Sequence, residues 1–245
     1  VDGKTRTFDK YSLTDMSLVL SVNPDTVFNE QKLKLERFTM LANEPIVFSS
    51  FYNKKLKKNF RFAHLLNKET LTLSEPVALG EGSFPVPISD QIRAVYIQRF
   101  GVDMGSVLFD MANAGRDGFT VSKDQEFIYI AATSATGGLS PSLLESGLKI
   151  TAQVDFTIPI AGFIPSSIKV SNSGVVYILG YEMENNSSEH RLNYATKVGR
   201  GKMYLFEMDM VTGVLKSYFI EVEGRPISSV GFEIDENNGS VIIGG

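Results

Sequence analysis

The stretch Phe119-Thr-Val-Ser-Lys-Asp-Gln-Glu-Phe-Ile-Tyr-Ile130 decides the fold. Apolar and polar residues alternate on both sides of a polar turn, which is the pattern of two antiparallel strands that bury one face. The pattern recurs at Ile168-Lys-Val-Ser-Asn-Ser-Gly-Val-Val-Tyr-Ile-Leu179 and at Phe232-Glu-Ile-Asp-Glu-Asn-Asn-Gly-Ser-Val-Ile-Ile243, with a weaker copy at Phe38-Thr-Met-Leu-Ala-Asn-Glu-Pro-Ile-Val-Phe-Ser49. Because these copies start at unequal intervals, they predict a repeated β unit with loop insertions rather than a strict solenoid.

A second kind of hairpin follows three of these copies. It is predicted at residues 59–78, at residues 202–222 and, in a shorter form, at residues 148–160. Two hairpins in series give four antiparallel strands per unit, which is the blade of a β-propeller. The sequence therefore predicts an all-β fold over residues 1–245. The predicted architecture is a β-propeller with antiparallel four-stranded blades, of which about four are visible.

The two ends of the chain look cut across this repeat. Residues 4–22 resemble the outer hairpin of a blade, with Tyr11-Ser-Leu-Thr-Asp-Met-Ser-Leu18 as the turn region, and the chain stops at the close of an inner hairpin. Either the termini complete one blade together, which removes a free sheet edge, or the chain is part of a larger propeller. We favour the larger propeller, because about four blades is the lower limit of the architecture.

Two segments do not follow the repeat. Residues 80–114 are predicted to be an insertion, and insertions on a rigid β scaffold are where function tends to lie. Residues 140–147 are predicted to form one capped helical turn, because a serine precedes a proline at the start and a glycine stands at the end.

Composition excludes several classes of protein. The chain has no cysteine, which excludes a disulfide scaffold, a thiolate zinc site and a cysteine nucleophile. Its net charge is −4, and the basic run Lys54-Lys-Leu-Lys-Lys58 is predicted to be a solvated hairpin tip rather than a nucleic-acid patch. No apolar run is long enough for a membrane-spanning helix. We therefore expect no nucleic-acid partner and no transmembrane segment in this chain.

Catalytic patterns are weak. His64 lies in a predicted strand and His190 in a polar loop, and neither a Gly-x-Ser-x-Gly elbow nor a phosphate-binding glycine loop occurs. The turn at residues 235–239 is typical of a side-chain-capped turn rather than a calcium loop. We therefore predict no catalytic residue, no metal and no cofactor. Paired carboxylates of a glycosidase could come from four loop residues, although nothing singles out a pair: Asp90, Asp103, Asp110 and Asp117.

Aromatic residues suggest a binding function. The stretch Phe48-Ser-Ser-Phe-Tyr52 is predicted to be an exposed loop, where phenyl and phenol rings would supply contact area. This favours a non-enzymatic binding or scaffold protein with a protein partner or a glycan as ligand. The alternative is a polysaccharide-active hydrolase or lyase that uses loop carboxylates. The candidate ligand-binding residues are Phe48, Phe51, Tyr52, Tyr96 and Arg99.

Several segments carry a resemblance to a known group. The chain resembles uncharacterised exported propeller-like proteins of Bacteroidetes-type bacteria in four places: Leu66-Asn-Lys-Glu-Thr-Leu71 with Glu75-Pro76, Gly118-Phe-Thr-Val-Ser-Lys-Asp124, Val175-Val-Tyr-Ile-Leu-Gly180 and residues 227–245. The resemblance implies an extracytoplasmic protein, in the periplasm or at the cell surface, with its signal segment removed or outside the given chain and with more blades after residue 245. It implies no catalytic residues. We expect peripheral association with an outer-membrane or cell-surface assembly.

The same resemblance bears on modification. Such bacteria attach O-glycans at a triplet of aspartate, serine or threonine, and an apolar residue. Asp25-Thr26-Val27 fits this triplet, so Thr26 is a candidate glycosylation site.

Overall fold

A computed structural model of the chain describes residues 7–82, 84, 119–130, 141–154, 156, 158–160, 163–182, 202–221 and 231–244. Within these ranges the regular structure is β-strand apart from one 3-10 turn, Ser146–Leu148. The predicted all-β class is therefore confirmed. Two short hairpins come first, β1 (Phe8–Tyr11) with β2 (Leu18–Val22) and β3 (Val27–Phe28) with β4 (Gln31–Lys32).

Three antiparallel sheets of four strands follow, each with its strands in chain order. Blade 1 contains β5 (Lys34–Leu41), β6 (Glu44–Asn53), β7 (Lys58–Leu65) and β8 (Val77–Glu81). Blade 2 contains β9 (Phe119–Val121), β10 (Phe127–Ile130), β11 (Ser142–Glu145) and β12 (Lys149–Gln153). Blade 3 contains β13 (Phe163–Val170), β14 (Val175–Glu182), β15 (Met203–Asp209) and β16 (Val214–Ile220). The last hairpin pairs β17 (Gly231–Asp235) with β18 (Ser240–Gly244).

Alternating side chains join each blade to both of its neighbours. Ile128 and Ile130 of β10 pack in one buried cluster with Phe48 of blade 1, whereas Tyr129 packs in another with Val176 of blade 3. Successive residues of a strand point to opposite faces of its sheet, so one strand serves two interfaces. Full burial of such a side chain stabilises the fold by roughly 1.5–3 kcal/mol. The β17–β18 hairpin packs on the far face of blade 3 in the same way.

The turns of the first hairpins form a chain of hydrogen bonds from blade to blade. The Ala42 amide donates to the Gln125 carbonyl at 2.8 Å, and the Asp124 amide donates to Asn172 Oδ1 at 3.1 Å. The Asn172 amide in turn donates to Glu236 Oε1 at 3.0 Å. The first strands β9, β13 and β17 are also adjacent. The first hairpins therefore stand side by side around one axis with the later strands further out, which is the radial arrangement of a β-propeller.

Gly174 shows how closely the blades approach. Its φ of +80° lies in the left-handed region that glycine adopts without steric cost. A Cβ at this position would lie 3.3 Å from Leu143 Cδ2 and 3.4 Å from Phe127 Cε1, both in blade 2. Glycine is therefore required here both by the turn and by the packing of blade 3 on blade 2.

The β1–β2 hairpin covers blade 1 from the side opposite blade 2. Phe8, Leu20 and Val22 pack against Val47 and Leu66 in a separate buried cluster. The hairpin predicted within residues 4–22 is confirmed, with its turn at residues 12–17. It forms a two-stranded sheet of its own rather than a strand of blade 1.

The helical turn predicted at residues 140–147 is wrong. Ser142–Glu145 is strand β11 in the interior of blade 2, and the turn is the 3-10 segment that follows it. Leu143 packs toward blade 3 and Leu144 toward blade 1, so both faces of this strand are buried. A strand buried on both faces loses the alternation by which a sequence pattern identifies it.

The predicted outer hairpins have three outcomes. The hairpin within residues 202–222 is confirmed as β15–β16. Within residues 59–78, β7 is confirmed, but its partner β8 begins at Val77, since Pro76 has no amide to donate and Leu71 has a φ of +56°. Within residues 148–160 the prediction is wrong, because β12 pairs back with β11 and residues 158–160 form no strand. Residues 80 and 81 belong to β8, and residues 83 and 85–114 of the predicted insertion lie outside the described residues.

Candidate functional site

The predicted aromatic loop is a strand. The residues from Phe48 to Tyr52 belong to β6, which pairs with β5 on one side and with β7 on the other. Phe48 is 0% exposed because it lies at the centre of the blade, so its predicted place on a binding surface is wrong. Tyr52, near the end of the strand, is 54% exposed. Tyr96 and Arg99 lie outside the described residues.

Phe51 points to the opposite face of β6 from Phe48 and Tyr52, because side chains alternate along a strand. It is half-buried and stacks on Phe60, with ring centroids 5.3 Å apart, and on Phe62 at 6.1 Å. Phe28 of β3 meets Phe62 edge-on at 5.9 Å. These rings pack the β3–β4 hairpin onto blade 1, so Phe51 supports the fold at this position.

A β-bulge gathers charged groups between blades 1 and 2. It inserts Glu36 between the residues of β5 that pair with β6. Bulges re-aim side chains in this way. Ser50 Oγ donates to Glu36 Oε1 at 2.6 Å, and Lys34 Nζ lies 2.8 Å from Glu36 Oε2. The guanidinium of Arg37 lies 4.4 Å from the centre of the Phe119 ring, which belongs to blade 2.

Arg61 is the second guanidinium at this interface, and it is completely buried. Its Nη2 donates to the carbonyls of Leu79 and Glu81 at 3.2 Å each, and its guanidinium lies 5.7 Å from the centre of the Phe84 ring. Burial lowers the pKa of Arg61 to about 10, which leaves the side chain charged at neutral pH. Because a buried charge is stable only with its hydrogen-bond partners in place, Arg61 fixes β8 against β7.

Three aromatic rings fill the space between the two arginines. Phe48 lies 4.8 Å from Phe119 and 5.8 Å from Phe84, and the last two rings are 5.5 Å apart. This cluster stands where the chain leaves blade 1. The Phe48 and Arg37 side chains of blade 1 both contact the Phe119 ring of blade 2, so the described part of the cluster holds the two blades together.

A serine–histidine pair lies inside blade 1. Ser49 Oγ is 2.7 Å from His64 Nε2, and His64 Nδ1 is 3.1 Å from the carbonyl oxygen of Ser74. A carbonyl only accepts, so Nδ1 carries the proton and Nε2 accepts from the serine hydroxyl. Burial lowers the pKa of His64, which keeps the ring neutral. Both side chains are buried, so the pair links the β7–β8 loop to the sheet.

The tip of the β1–β2 hairpin, residues 12–17, exposes large apolar side chains. Leu13 is 94% exposed and Met16 is 67% exposed. Asp15 Oδ1 accepts hydrogen bonds from the Ser17 amide at 3.1 Å and from its hydroxyl at 2.8 Å, and these bonds lower the pKa of Asp15. The Met16 amide also donates to the Ser12 carbonyl at 2.9 Å. The turn is therefore ordered around two apolar residues that face solvent. The adjoining strands add three exposed side chains, Tyr11, Leu18 and Val19.

Thr26 lies in the turn that leads into β3. Asp25 Oδ1 accepts a hydrogen bond from the Val27 amide at 3.0 Å, and Thr26 itself is half-buried. O-glycosylation at Thr26 stays a prediction. Among the described residues, no three histidine or carboxylate side chains gather in an arrangement that could hold a metal ion. In the same part of the chain, no helix has the length and apolar character needed to cross a bilayer.

Sequence reasoning missed the exposed apolar side chains of the β1–β2 tip, although a signal was present. The turn region Tyr11-Ser-Leu-Thr-Asp-Met-Ser-Leu18 holds a leucine and a methionine where glycine, asparagine, aspartate or serine are usual. Large apolar residues at a predicted turn indicate a contact beyond the fold itself. The bulge at Glu36 has no comparable local signal.

No family model matches the chain, and no curated protein matches it. Among solved structures, it is similar to an acylaminoacyl peptidase of Pyrococcus horikoshii, with a TM-score of 0.40 and 8% identity over 78% of this chain and 26% of that one. It is also similar to the β-propeller domain of the Trilobed protease from Pyrococcus furiosus, with a TM-score of 0.38 and 7% identity over 78% and 44% of the two chains.

The Dos1 propeller gives a TM-score of 0.40 and 8% identity over 96% of this chain and 59% of that one. The chain thus spans less than two thirds of the length of each of these structures. We conclude that the chain is built from β-propeller blades. The conclusion rests on its three four-stranded sheets and on the hydrogen bonds between the turns of their first hairpins.

Proposed function

We propose that this chain is a non-enzymatic binding or scaffold protein that engages a protein partner through the β1–β2 tip. The observation that carries the proposal is the exposure of Leu13 and Met16 in an ordered turn. Exposed apolar patches of this kind mark contact surfaces on otherwise soluble folds. A turn that is already ordered also loses little conformational entropy when a partner covers it.

The position of the tip shows that packing of another blade would not cover its exposed residues. Tyr11 and Leu18 form the last cross-strand pair of the hairpin, so a neighbouring sheet could cover them by ordinary stacking. Leu13 and Met16 lie beyond that pair, in the turn itself. Sheet stacking covers strand faces, so a separate partner is the better explanation for exposed turn residues.

Export and a peripheral place at an outer-membrane or cell-surface assembly remain part of the proposal and rest on the sequence resemblance alone. Fractionation of cells that carry the full gene tests them. The polysaccharide-active alternative depends on Asp90, Asp103, Asp110 and Asp117, which lie outside the described residues. No described contact favours it.

Site-specific photocrosslinking in cells of the organism of origin tests the binding surface. A photoreactive residue at position 13 should yield one discrete protein adduct, and Met16→Asp on the same chain should abolish it. The matched control carries the photoreactive residue at Val211, another exposed apolar turn residue, in the β15–β16 turn. Equal adducts from both positions, or none from position 13 in a chain with unchanged thermal stability, would contradict the proposal.

A further inference from the structure

The β6–β7 hairpin projects beyond the rest of blade 1. The outermost pair between β5 and β6 is Lys34 with Ser50, and the outermost pair between β7 and β8 is Phe60 with Glu81. The β6–β7 ladder continues past both to Asn53 paired with Lys58. On the β8 side the Gly82 amide still donates to the Asn59 carbonyl at 2.9 Å, so only the Asn53–Lys58 pair lies further out. On the β5 side the hairpin extends about 10 Å past Ser50 before its turn begins, at ~3.3 Å per residue. We call residues 54–58 the lysine tip.

The lysine tip combines positive charge with an apolar apex. Leu56, in the middle of the turn, is 58% exposed. Lys58 pairs with Glu81 at 2.6 Å, whereas none of the described carboxylates lies within salt-bridge distance of Lys54, Lys55 or Lys57. Three exposed lysines therefore flank one exposed leucine in the same turn, on a chain whose net charge is −4.

The turn of the lysine tip is ordered by one side chain. Asn53 Oδ1 accepts hydrogen bonds from the Lys55 amide at 3.0 Å and from the Leu56 amide at 3.1 Å. This is the common asparagine turn, in which the side chain replaces a backbone acceptor. The lysines and the leucine are therefore presented together before any partner arrives.

We propose that the lysine tip binds the surface of an anionic lipid bilayer. The ammonium groups meet lipid headgroup phosphates or carboxylates, and the Leu56 side chain enters the boundary between headgroups and acyl chains. Lysine stems reach from this depth back to water while their charged ends remain solvated. Because the rest of the chain is net negative, the membrane attracts the tip and repels the remainder, which fixes the orientation of the protein.

The apex residue favours a bilayer over a soluble polyanion. A soluble polyanion binds the lysines, and an exposed leucine adds nothing to its affinity. A membrane binds both, since burial of the leucine side chain adds to the electrostatic attraction. Each lysine near an anionic surface strengthens binding about fivefold. The attachment is therefore weak by itself and depends on ionic strength.

Fluorescence tests the insertion of the apex. The chain has no tryptophan, so Leu56→Trp creates a single reporter at the tip. Vesicles that mix phosphatidylglycerol with phosphatidylcholine should shift its emission to shorter wavelength, and pure phosphatidylcholine should not. The control is Leu13→Trp, at the other exposed tip. An equal shift for Leu13→Trp, or no shift for Leu56→Trp, overturns the proposal.

Charge reversal tests the electrostatic part. The variant Lys54→Glu/Lys55→Glu/Lys57→Glu should lower co-sedimentation with the anionic vesicles more than tenfold. The matched control reverses Lys32, Lys68 and Lys123, which are exposed on other loops and strands and change the net charge equally. Binding should also fall at about 1 M NaCl, where charges are screened beyond about 3 Å. An equal loss in both triple variants means that net charge alone is responsible, and the lysine tip is then not the binding surface.

Leu56→Ser separates a membrane from a polyanion. It should weaken binding to the anionic vesicles several-fold and leave retention on dextran sulfate unchanged. If vesicle binding survives Leu56→Ser intact, the tip is a general polyanion site and the bilayer proposal is overturned. Thermal unfolding should be the same for all of these variants, since the exchanged side chains lie at an exposed turn.

Discussion

The β1–β2 tip and the lysine tip are both ordered turns with exposed apolar side chains, but their strands are attached to the fold in different ways. The lysine tip continues β6 and β7, and residues of both strands are buried in the cluster between blades 1 and 2. The β1–β2 tip ends a two-stranded sheet that touches blade 1 through one cluster of apolar side chains. Strands that continue into the core open less readily than a docked hairpin, which can leave while the blades remain folded.

The two tips also differ in charge and in the side chain that caps each turn. The lysine tip is positively charged, and its turn is capped by the neutral side chain of Asn53. The β1–β2 tip carries no lysine or arginine, and its turn is capped by the carboxylate of Asp15. Lys10, just before this tip, pairs with Glu69 in the β7–β8 loop, and the β6–β7 turn lies at the other end of β7. The two tips therefore lie at opposite ends of blade 1.

The largest expected effect on the free energy of unfolding comes from a truncation in the buried part of β6, the strand that leads to the lysine tip. Phe48→Ala deletes a ring that is fully buried against Phe84 and Phe119. Truncation of a buried phenylalanine costs about 3–5 kcal/mol, through lost burial and the cavity that remains. Urea denaturation followed by circular dichroism should show this loss of unfolding free energy. Amide exchange should accelerate across the blades together.

Phe8→Ala is the matched control on the docked hairpin. Phe8 is half-buried, so its truncation should cost about 1–2 kcal/mol and should act locally. Amides of β1 and β2 should exchange faster while those of β6 and β7 keep their protection. If β6 and β7 lose protection equally, the hairpin is an integral part of blade 1 and the distinction between the tips fails.

Acid should loosen the end of blade 1 that holds the β1–β2 tip. The folded state lowers the pKa of His64 below its ordinary value of 6.5, because burial disfavours the charged ring. The stabilisation from His64 is therefore complete above about pH 6.5 and is lost as pH falls toward the lowered pKa, since the unfolded chain takes up the proton first. His64→Gln should reduce the difference in urea midpoint between about pH 7.5 and about pH 5.

Amide exchange locates this pH effect within blade 1. Exchange measurements at the lower pH should show early opening in the β7–β8 loop, because the Ser74 carbonyl bonds to His64. The lysine tip should stay protected. A pH dependence that persists in His64→Gln would assign it to other groups.

Much of this fold could be predicted from the sequence because polar turns separate short, mostly apolar strands in its first hairpins. The period-two pattern around residues 119–130 and 168–179 identified β9, β10, β13 and β14, and the polar turns between them are where the structure has them. The pattern failed at β11, because the serine before Pro141 and the glycine at position 147 resemble the two ends of a helical turn. Which sheet buries which face is a tertiary property, and local alternation does not encode it.

The candidate sites were predicted less well for a related reason. Phe48 and Tyr52 look alike in the sequence, and only the pairing of β6 on both sides puts one in the core and the other at an open end. The bulge at Glu36 is equally invisible, since it depends on the register between β5 and β6. The lysine tip was correctly predicted as a solvated turn because charge and turn residues are local features.

The smallest expected effect tests whether charge or apolar contact holds the β1–β2 hairpin. Lys10 Nζ lies 3.0 Å from Glu69 Oε2, but the Glu69 side chain is 83% exposed. Exposed pairs contribute about 0–1 kcal/mol, so Lys10→Met should change the free energy of unfolding by less than about 0.5 kcal/mol. Amide exchange in β1 and β2 should be almost unchanged, and high salt should not release the hairpin. A larger loss, or release in salt, would mean that ion pairing rather than the cluster around Phe8 and Leu20 docks the hairpin, and the β1–β2 tip would then be mobile wherever ionic strength is high.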